Sequence, residues 1–271
     1  MTEMLKRARE AKHNWYRGFA AASAAAALLT LLAASPAAAQ IPLGTAGSFG
    51  VLGGSTVTNT GPTIVNGNVG VSPGSSVTGF PPGIVSGGTI HSNDAVAMQA
   101  QNDLTTAYNT AAGTPCTLDL SGIDLGGLTL TPGVYCFTSS AQLTGTLTLN
   151  SLGNPLSSFI FKIGSTLTTA SNSSVLMINN GSSCNVFWQV GSSATLGTGT
   201  AFAGNILSLT SITMTTGSTL SGRALARNGA VTLDTNSVTP CGLVGLPALS
   251  GGMLLLLAAA IAVVALATLR S

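Results

Sequence analysis

Few residues in this chain could do chemistry, and their types and spacing argue against catalysis. Past the N-terminal basic and apolar stretch there is one histidine, His91. It falls just ahead of a helical pattern, where capping or packing is its expected work. Asp119 and Asp124 are the closest acidic pair. Placed on one strand–turn segment, they face different directions, so turn roles are expected rather than acid–base work. Arg223 and Arg227 flank Ala224-Leu225-Ala226 and are expected in solvent or paired with Asp234. No serine has a base and an orienting acid spaced for a nucleophilic triad. No glycine-rich phosphate loop sits between a strand and a helix, and no cysteine or histidine pair has short zinc-type spacing. The expectation is a protein that is not an enzyme and needs neither cofactor nor metal.

What the chain has in quantity is hydroxyl. Four segments share the form Thr, apolar, any, Thr, small or Asn, Ser/Thr. They begin at Thr166, Thr195, Thr213 and Thr232, so one longer step is followed by two nearly equal ones. A step of about 20 residues is one coil of a solenoid. Stacked coils bring equivalent residues to the strand spacing of about 4.8 Å. The alignment predicts one ladder of Thr166, Thr195, Thr213 and Thr232, and a second of Thr169, Thr198, Thr216 and Thr235. Ser171, Thr200, Ser218 and Ser237 form a third, while Leu167, Leu196, Met214 and Leu233 stack inward. The product is a flat grid of short hydroxyl-bearing side chains.

The elements that must hold such a grid are legible in the periodicity. Residues 93–112 carry one apolar stripe, Ala97, Ala100, Leu104, Ala107, Tyr108 and Ala111, at spacings of three and four. That is one long helix, with N-caps offered by Ser92, Asn93 and Asp94 and a stop at Gly113. Strand patterns with Gly, Asn and Pro corners fill 43–90 and 118–238. Ser55–Asn59 and Ser75–Gly79 repeat one coil apart, and Phe159–Ile163 and Val186–Val190 are dense enough to be buried on both sides. The predicted fold is all-β with one long helix: an irregular three-faced β-solenoid (β-helix) with the α-helix packed along one face.

Residues 1–39 read as a signal peptide, basic and then apolar, ending in a small-x-small site at Ala37 and Ala39. The solenoid domain takes 40–242, a linker 243–252, and an apolar segment at 253–271 ends in Arg270-Ser271. That tail is near the lower length for spanning a bilayer. The expected location is exported, at the cell surface, with membrane contact through the tail. Charged residues are only 6% of the chain, and five of the nine basic ones lie between Lys6 and Arg17. Past Ala39 four basic side chains face five acidic ones, so no basic surface exists for nucleic acid. A monomer is expected. Cys116, Cys136, Cys184 and Cys241 form an even set, which in an exported protein suggests disulfides. Of the three pairings open to them, Cys116 with Cys136, one coil apart, leaves Cys184 with Cys241.

Several separated stretches resemble the microbial ice-binding (antifreeze) proteins, the group long called DUF3494. They are Leu43-Gly44-Thr45-Ala46-Gly47-Ser48-Phe49, Ser55 to Thr63, Leu128-Thr129-Leu130-Thr131-Pro132-Gly133-Val134-Tyr135, Val186 to Ala194, and Gly222 to Asp234, in that order. The resemblance covers about residues 42–239. It implies an irregular solenoid with a helix alongside and a flat ice-binding face. A Thr-Ala/Gly-x-Thr/Asn pattern found on that face in some members is matched at Thr169-Ala170-Ser171-Asn172, Thr216-Gly217-Ser218-Thr219 and Thr60-Gly61-Pro62-Thr63. It is matched in part at Thr198 to Ala201 and Thr235 to Val238. Ice is then the expected partner, met by Thr169, Ser171, Thr198, Thr200, Thr216, Ser218, Thr235 and Ser237. The alternative is a surface adhesin or matrix protein using the solenoid as a spacer or glycan-binding module. Leu246-Pro247-Ala248-Leu249-Ser250, ahead of the apolar tail, is similar to bacterial Pro-motif sorting signals.

Overall fold

The computed structural model describes residues 41–241. The leader expected at 1–39, the linker at 243–252 and the tail at 253–271 lie outside the described residues. Within them, short strands stack in parallel into a coil of three faces. One face is a seven-stranded sheet. The other two are the halves of a fifteen-stranded sheet, joined by two long strands, Ala201–Ser208 and Thr219–Ala226. These long strands turn the coil's edge at Gly204 and Gly222. A Cβ on Gly222 would lie 1.9 Å from the Gly204 carbonyl oxygen, so only glycine allows the two strands to stack there.

The inner sides of all three faces meet in one core. Tyr135, Phe161 and Trp188 occupy equivalent positions of successive strands and stack, with Phe161 and Trp188 3.9 Å apart and 9° from parallel. Such pairs add about 0.5–1.5 kcal/mol beyond the apolar burial itself. The Trp188 indole N–H donates to the Ala203 carbonyl, so its polar atom is satisfied inside the core.

The helix, Ala95–Gly113, runs along the face formed by the second half of the long sheet. The stripe read from the sequence is the buried stripe, residue for residue. It packs on Phe49, Leu52, Ile160, Phe187, Leu207 and Leu225, which is why Phe159–Ile163 and Val186–Val190 are apolar on both sides. The cap is Asp94: one carboxylate oxygen accepts from the Ala97 N–H and the other meets His91 Nδ1 at 2.7 Å. The hydrogen bond from Ala97 and then that from His91 hold this carboxyl below the ordinary aspartate range. Gly113 is the last helical residue rather than the one after it, and Thr114 takes the cap position.

The coil order is not the chain order. Thr56–Thr60 stacks on Val231–Asp234, and Ser76–Thr78 stacks beyond that. The N-terminal coils therefore extend the C-terminal end of the solenoid, and the helix carries the chain back to the far end. The seven-stranded sheet spans six spacings, about 29 Å. The helix spans about the same distance. Both disulfides expected from the spacing are present, Cys116–Cys136 and Cys184–Cys241. Among the described residues no helix is long and apolar enough to cross a membrane.

Candidate functional site

Only one face of the coil is hydroxyl-bearing from end to end. On the seven-stranded sheet every second residue points outward. Its registers place Gln142, Thr168, Thr195, Thr213, Thr232, Thr58 and Thr78 in one line across all seven strands. All are exposed or half-exposed. Inward neighbours in the same registers are Ala141, Leu167, Ala194, Ile212, Val231 and Val57, all buried, with Val77 packed on them at the end. A flanking row one step earlier holds Ser140, Thr166, Ser193, Ser211, Ala230, Thr56 and Ser76, hydroxyl-bearing except at Ala230, with Thr166 Oγ1 donating to Ser140 Oγ at 2.8 Å.

This geometry corrects the alignment read from the sequence. Thr168, not Thr166, pairs with Thr195, so the first step is shorter than the matching letters suggest. Leu167 accordingly stacks on Ala194 and Ile212, not in the Leu196, Met214 and Leu233 row. The line is also longer than the expected four threonines, because Thr58 and Thr78 continue it beyond Thr232.

The eight singled-out hydroxyls separate into three groups. Thr169, Thr200 and Ser218 are buried, at 3%, 0% and 0% exposure, and cannot meet a surface. They belong to an internal ladder at the corner after the sheet, in which Ser173, Thr200, Ser218, Asn236 and Thr63 stand at equivalent places. Thr169 Oγ1 and Thr200 Oγ1 lie 2.9 Å apart, Ser173 Oγ donates to the Leu143 carbonyl, and Asn236 Nδ2 donates to Ser218 Oγ and to the Thr215 carbonyl. These side chains satisfy backbone groups that the corner strips of sheet partners. Ser237 is half-exposed but begins the strand of the next face, Ser237–Thr239.

Ser171, Thr198, Thr216 and Thr235 do reach the edge of the threonine face. Four matching hydrogen bonds fix their stacking: the N–H groups of Asn172, Gly199, Gly217 and Thr235 donate to the carbonyls of Thr198, Thr216, Asp234 and Thr60. The edge row is therefore Ser171, Thr198, Thr216, Asp234 and Thr60. Thr235 stands one place on, in the row of left-handed residues Asn172, Gly199, Gly217 and Gly61. The corner from Leu233 to Ser237 is one residue shorter than that from Met214 to Thr219, which shifts Asp234 into the place expected for Thr235.

The remaining candidates are structural. Asp119 and Asp124 accept from the N–H groups of Ser121 and Gly126, holding turns. At Asp124 burial works against ionisation, yet the Gly126 and Thr144 hydrogen bonds outweigh it and the carboxyl stays below its ordinary range. Arg223 is not solvated: it is buried, donating to Gly47 O, Asn205 Oδ1 and Cys241 O. Burial alone lowers its pKa. Arg227 lies over the Tyr108 ring at 4.7 Å. Asp234 is bonded to Thr216 and Thr235 rather than to either arginine. Among the described residues no group of three or more His, Cys, Asp or Glu is placed to hold a metal.

The other open face differs. Its outward positions mix Thr146, Thr219, Ser221 and Thr239 with Ala201, Ile64, Ile84 and Leu176, the last two 56% and 51% exposed. The third face lies under the helix. What remains is a flat, open and regular surface whose charged side chains among the described residues, Asp124 beside Gln142 and Asp234, stand at its end and its edge. It is suited to meeting another ordered surface rather than enclosing a small molecule.

Comparison with known proteins agrees. The family described as ice-binding-like matches residues 51–239. An ice-binding protein of Nostoc sp. (strain HG1) is 62% identical over 198 residues, covering 73% of each chain. The crystal structure of an ice binding protein from an Antarctic biological consortium superposes with a TM-score of 0.73 at 48% identity, over 76% of this chain and 94% of that one. That of an ice-binding protein from the Antarctic ascomycete Antarctomyces psychrotrophicus gives 0.72 at 42%, over 74% and 98%. On its sequence match and its fold, the chain belongs to the ice-binding-like family.

Proposed function

We propose that the protein adsorbs to ice through the outward side of the seven-stranded sheet and slows ice growth or recrystallisation. The observation that carries this is the unbroken outer line from Thr168 to Thr78, six threonines on successive strands with no charged side chain in the line. Strands fix one direction of the array near about 4.8 Å and the i, i+2 repeat fixes the other near about 6.6 Å. Threonine methyls in such an array favour ordered water above them, and the hydroxyls anchor that water. Because the sheet already holds the side chains in place, little conformational entropy is lost on contact with the lattice. Each contact is weak, and many act together.

The edge residues Ser171, Thr198 and Thr216 extend the contact area of this face, and Thr169, Thr200 and Ser218 are not part of it. Adsorbed molecules would curve the advancing ice front and hold it back. An exported protein meets ice where ice forms. The leader and the apolar tail, both read from the sequence, would place the face outside the cell and hold it near a membrane.

The test replaces Thr195 and Thr213 together by tyrosine. Both side chains point into solvent, so the fold and melting temperature stay near wild type. Thermal hysteresis and ice-affinity partition are expected to collapse, since two bulky rings lift the face off the lattice. A folded double variant with full hysteresis would remove this face from the site.

A further inference from the structure

Asp234 is the charged side chain in the edge row of the threonine face, and Thr235 beside it is the one β-branched residue in its row of left-handed residues (φ 54°). Equivalent positions hold Gly199, Gly217, Gly61 and Asn172, residue types that tolerate positive φ. A threonine there is strained. Nothing in the packing calls for it: Thr235 is exposed, and its hydroxyl donates only to the Asp234 carboxylate, at 3.0 Å. The other carboxylate oxygen accepts from the Thr216 hydroxyl of the neighbouring coil. Asp234 is itself fixed by its backbone: its N–H donates to Asn236 Oδ1 at 2.6 Å, and its carbonyl accepts from the Gly217 N–H at 3.1 Å.

We propose that Asp234 is a positioning residue of the ice-binding face, and that it holds Thr216 and the strained Thr235 as a patch that only accepts hydrogen bonds from the lattice. A hydroxyl has one proton to donate. At Thr216 and Thr235 that proton is committed to the carboxylate, so both oxygens offer lone pairs alone to the water above. Thr198, in the same row as Thr216, is not tied in this way. Its hydroxyl lies 3.4 Å from Thr215 Oγ1 and can donate there or outward, so its polarity toward the surface is not set. The acceptor patch would select surface water that donates toward the protein, giving the face a fixed polarity at one place along its length. Charge-assisted hydrogen bonds are the stronger kind, which suits a device that must hold one orientation.

This inference rests on the ice-binding reading of the same face, and the experiment separates the two. Thermal hysteresis and melting temperature are measured for wild type, Thr235→Gly, Asp234→Ala, Thr216→Ala/Thr235→Gly, and that double variant with Asp234→Ala added. Thr235→Gly is expected to melt at or above the wild-type temperature, because strain is relieved, yet to lose about two- to five-fold in hysteresis, the scale of one net hydrogen bond. Asp234→Ala loses a similar factor in the wild-type background and nothing further in the Thr216→Ala/Thr235→Gly background. Equal losses in both backgrounds would mean the carboxylate meets ice itself, which overturns the positioning role. Unchanged hysteresis in Thr235→Gly, or a lower melting temperature, would overturn the proposal while leaving the face intact. An inactive wild type would remove both.

Discussion

Two ladders of threonine and serine run along this solenoid a few residues apart, and only one of them meets water. The outer line through Thr168, Thr195, Thr213 and Thr232 alternates with Leu167, Ala194, Ile212 and Val231, so the pleat turns it outward. The inner line through Ser173, Thr200, Ser218 and Thr63 follows the corner, where the chain leaves the sheet and its backbone groups need partners. The residue types are the same and the recurrence is the same. What assigns the role is the position relative to the apolar row, not the hydroxyl itself. One set spends its hydrogen bonds on the protein and the other keeps them for an external surface.

The largest expected effect tests the inner line. Asn236 is its most connected member: its N–H donates to Thr63 Oγ1, its amide donates to Thr215 O, Ser218 O and Ser218 Oγ, and its Oδ1 accepts from the Asp234 N–H. Asn236→Ala leaves several of these buried groups unpaired, at a cost of about 2–4 kcal/mol. The melting temperature should fall by about 5–15 °C for a domain of this size. Thermal unfolding followed by circular dichroism checks this, and a shift under about 2 °C would mean the corner does not depend on the inner line.

The same substitution applied to both ladders should give crossed outcomes of middling size. Thr200→Ala removes the partner of Thr169 Oγ1 and of the Ala170 carbonyl, and is expected to cost about 1–3 kcal/mol while hysteresis of the folded protein holds. Thr213→Ala removes an outward side chain, costs within about 0.5 kcal/mol of stability, and lowers hysteresis. If both variants lose stability and activity together, the two lines are not separate in function and the contrast fails.

Much of this architecture is legible in the sequence. The helix stripe from Ala97 to Ala111 survives intact because a period of three and four has one physical solution, an apolar face laid on a sheet. The cysteine pairs followed from a separation equal to one coil. Register was less legible. The corner after Leu233 is one residue shorter than its neighbours, and the step from Thr168 to Thr195 contains an excursion around Cys184, so matching segments by their letters slid Thr166 and Thr235 out of place. The first slip is of two residues, which keeps Thr166 outward but carries the inward Thr169, equivalent to Leu196, into the edge row. Thr200 and Ser218 lie past the corner, where the strand's alternation no longer applies, so extending it makes them surface residues when they are buried. The signal that could have corrected this is the apolar row: anchoring on Ala194, Ile212 and Val231 puts the next residue, Thr195, Thr213 and Thr232, outward each time. The stacking of Thr58 on Thr232 carried no local signal, because it depends on where the helix returns the chain.

The smallest expected effect concerns the second open face, and it decides whether hydroxyls on a solenoid are enough. Thr146 and Thr219 point outward there, at equivalent places of their strands, with Ser174 and Ala201 between them. The row continues through Ser237 to Ile64 and Ile84, and the row beside it is broken by Leu176 and Ala203. Large apolar side chains raise the surface unevenly, and alanines leave gaps, so no extended plane of hydroxyls exists for a lattice to match. Thr146→Tyr with Thr219→Tyr places the same two rings on this face as the tyrosine pair does on the threonine face. Hysteresis should stay within about 20% of wild type, since solvent-facing substitutions away from the contact leave stability and structure almost unchanged. A collapse equal to that of the Thr195 and Thr213 pair would show that the contact wraps around the corner onto both faces, and the even threonine line would lose its claim to be what the ice requires.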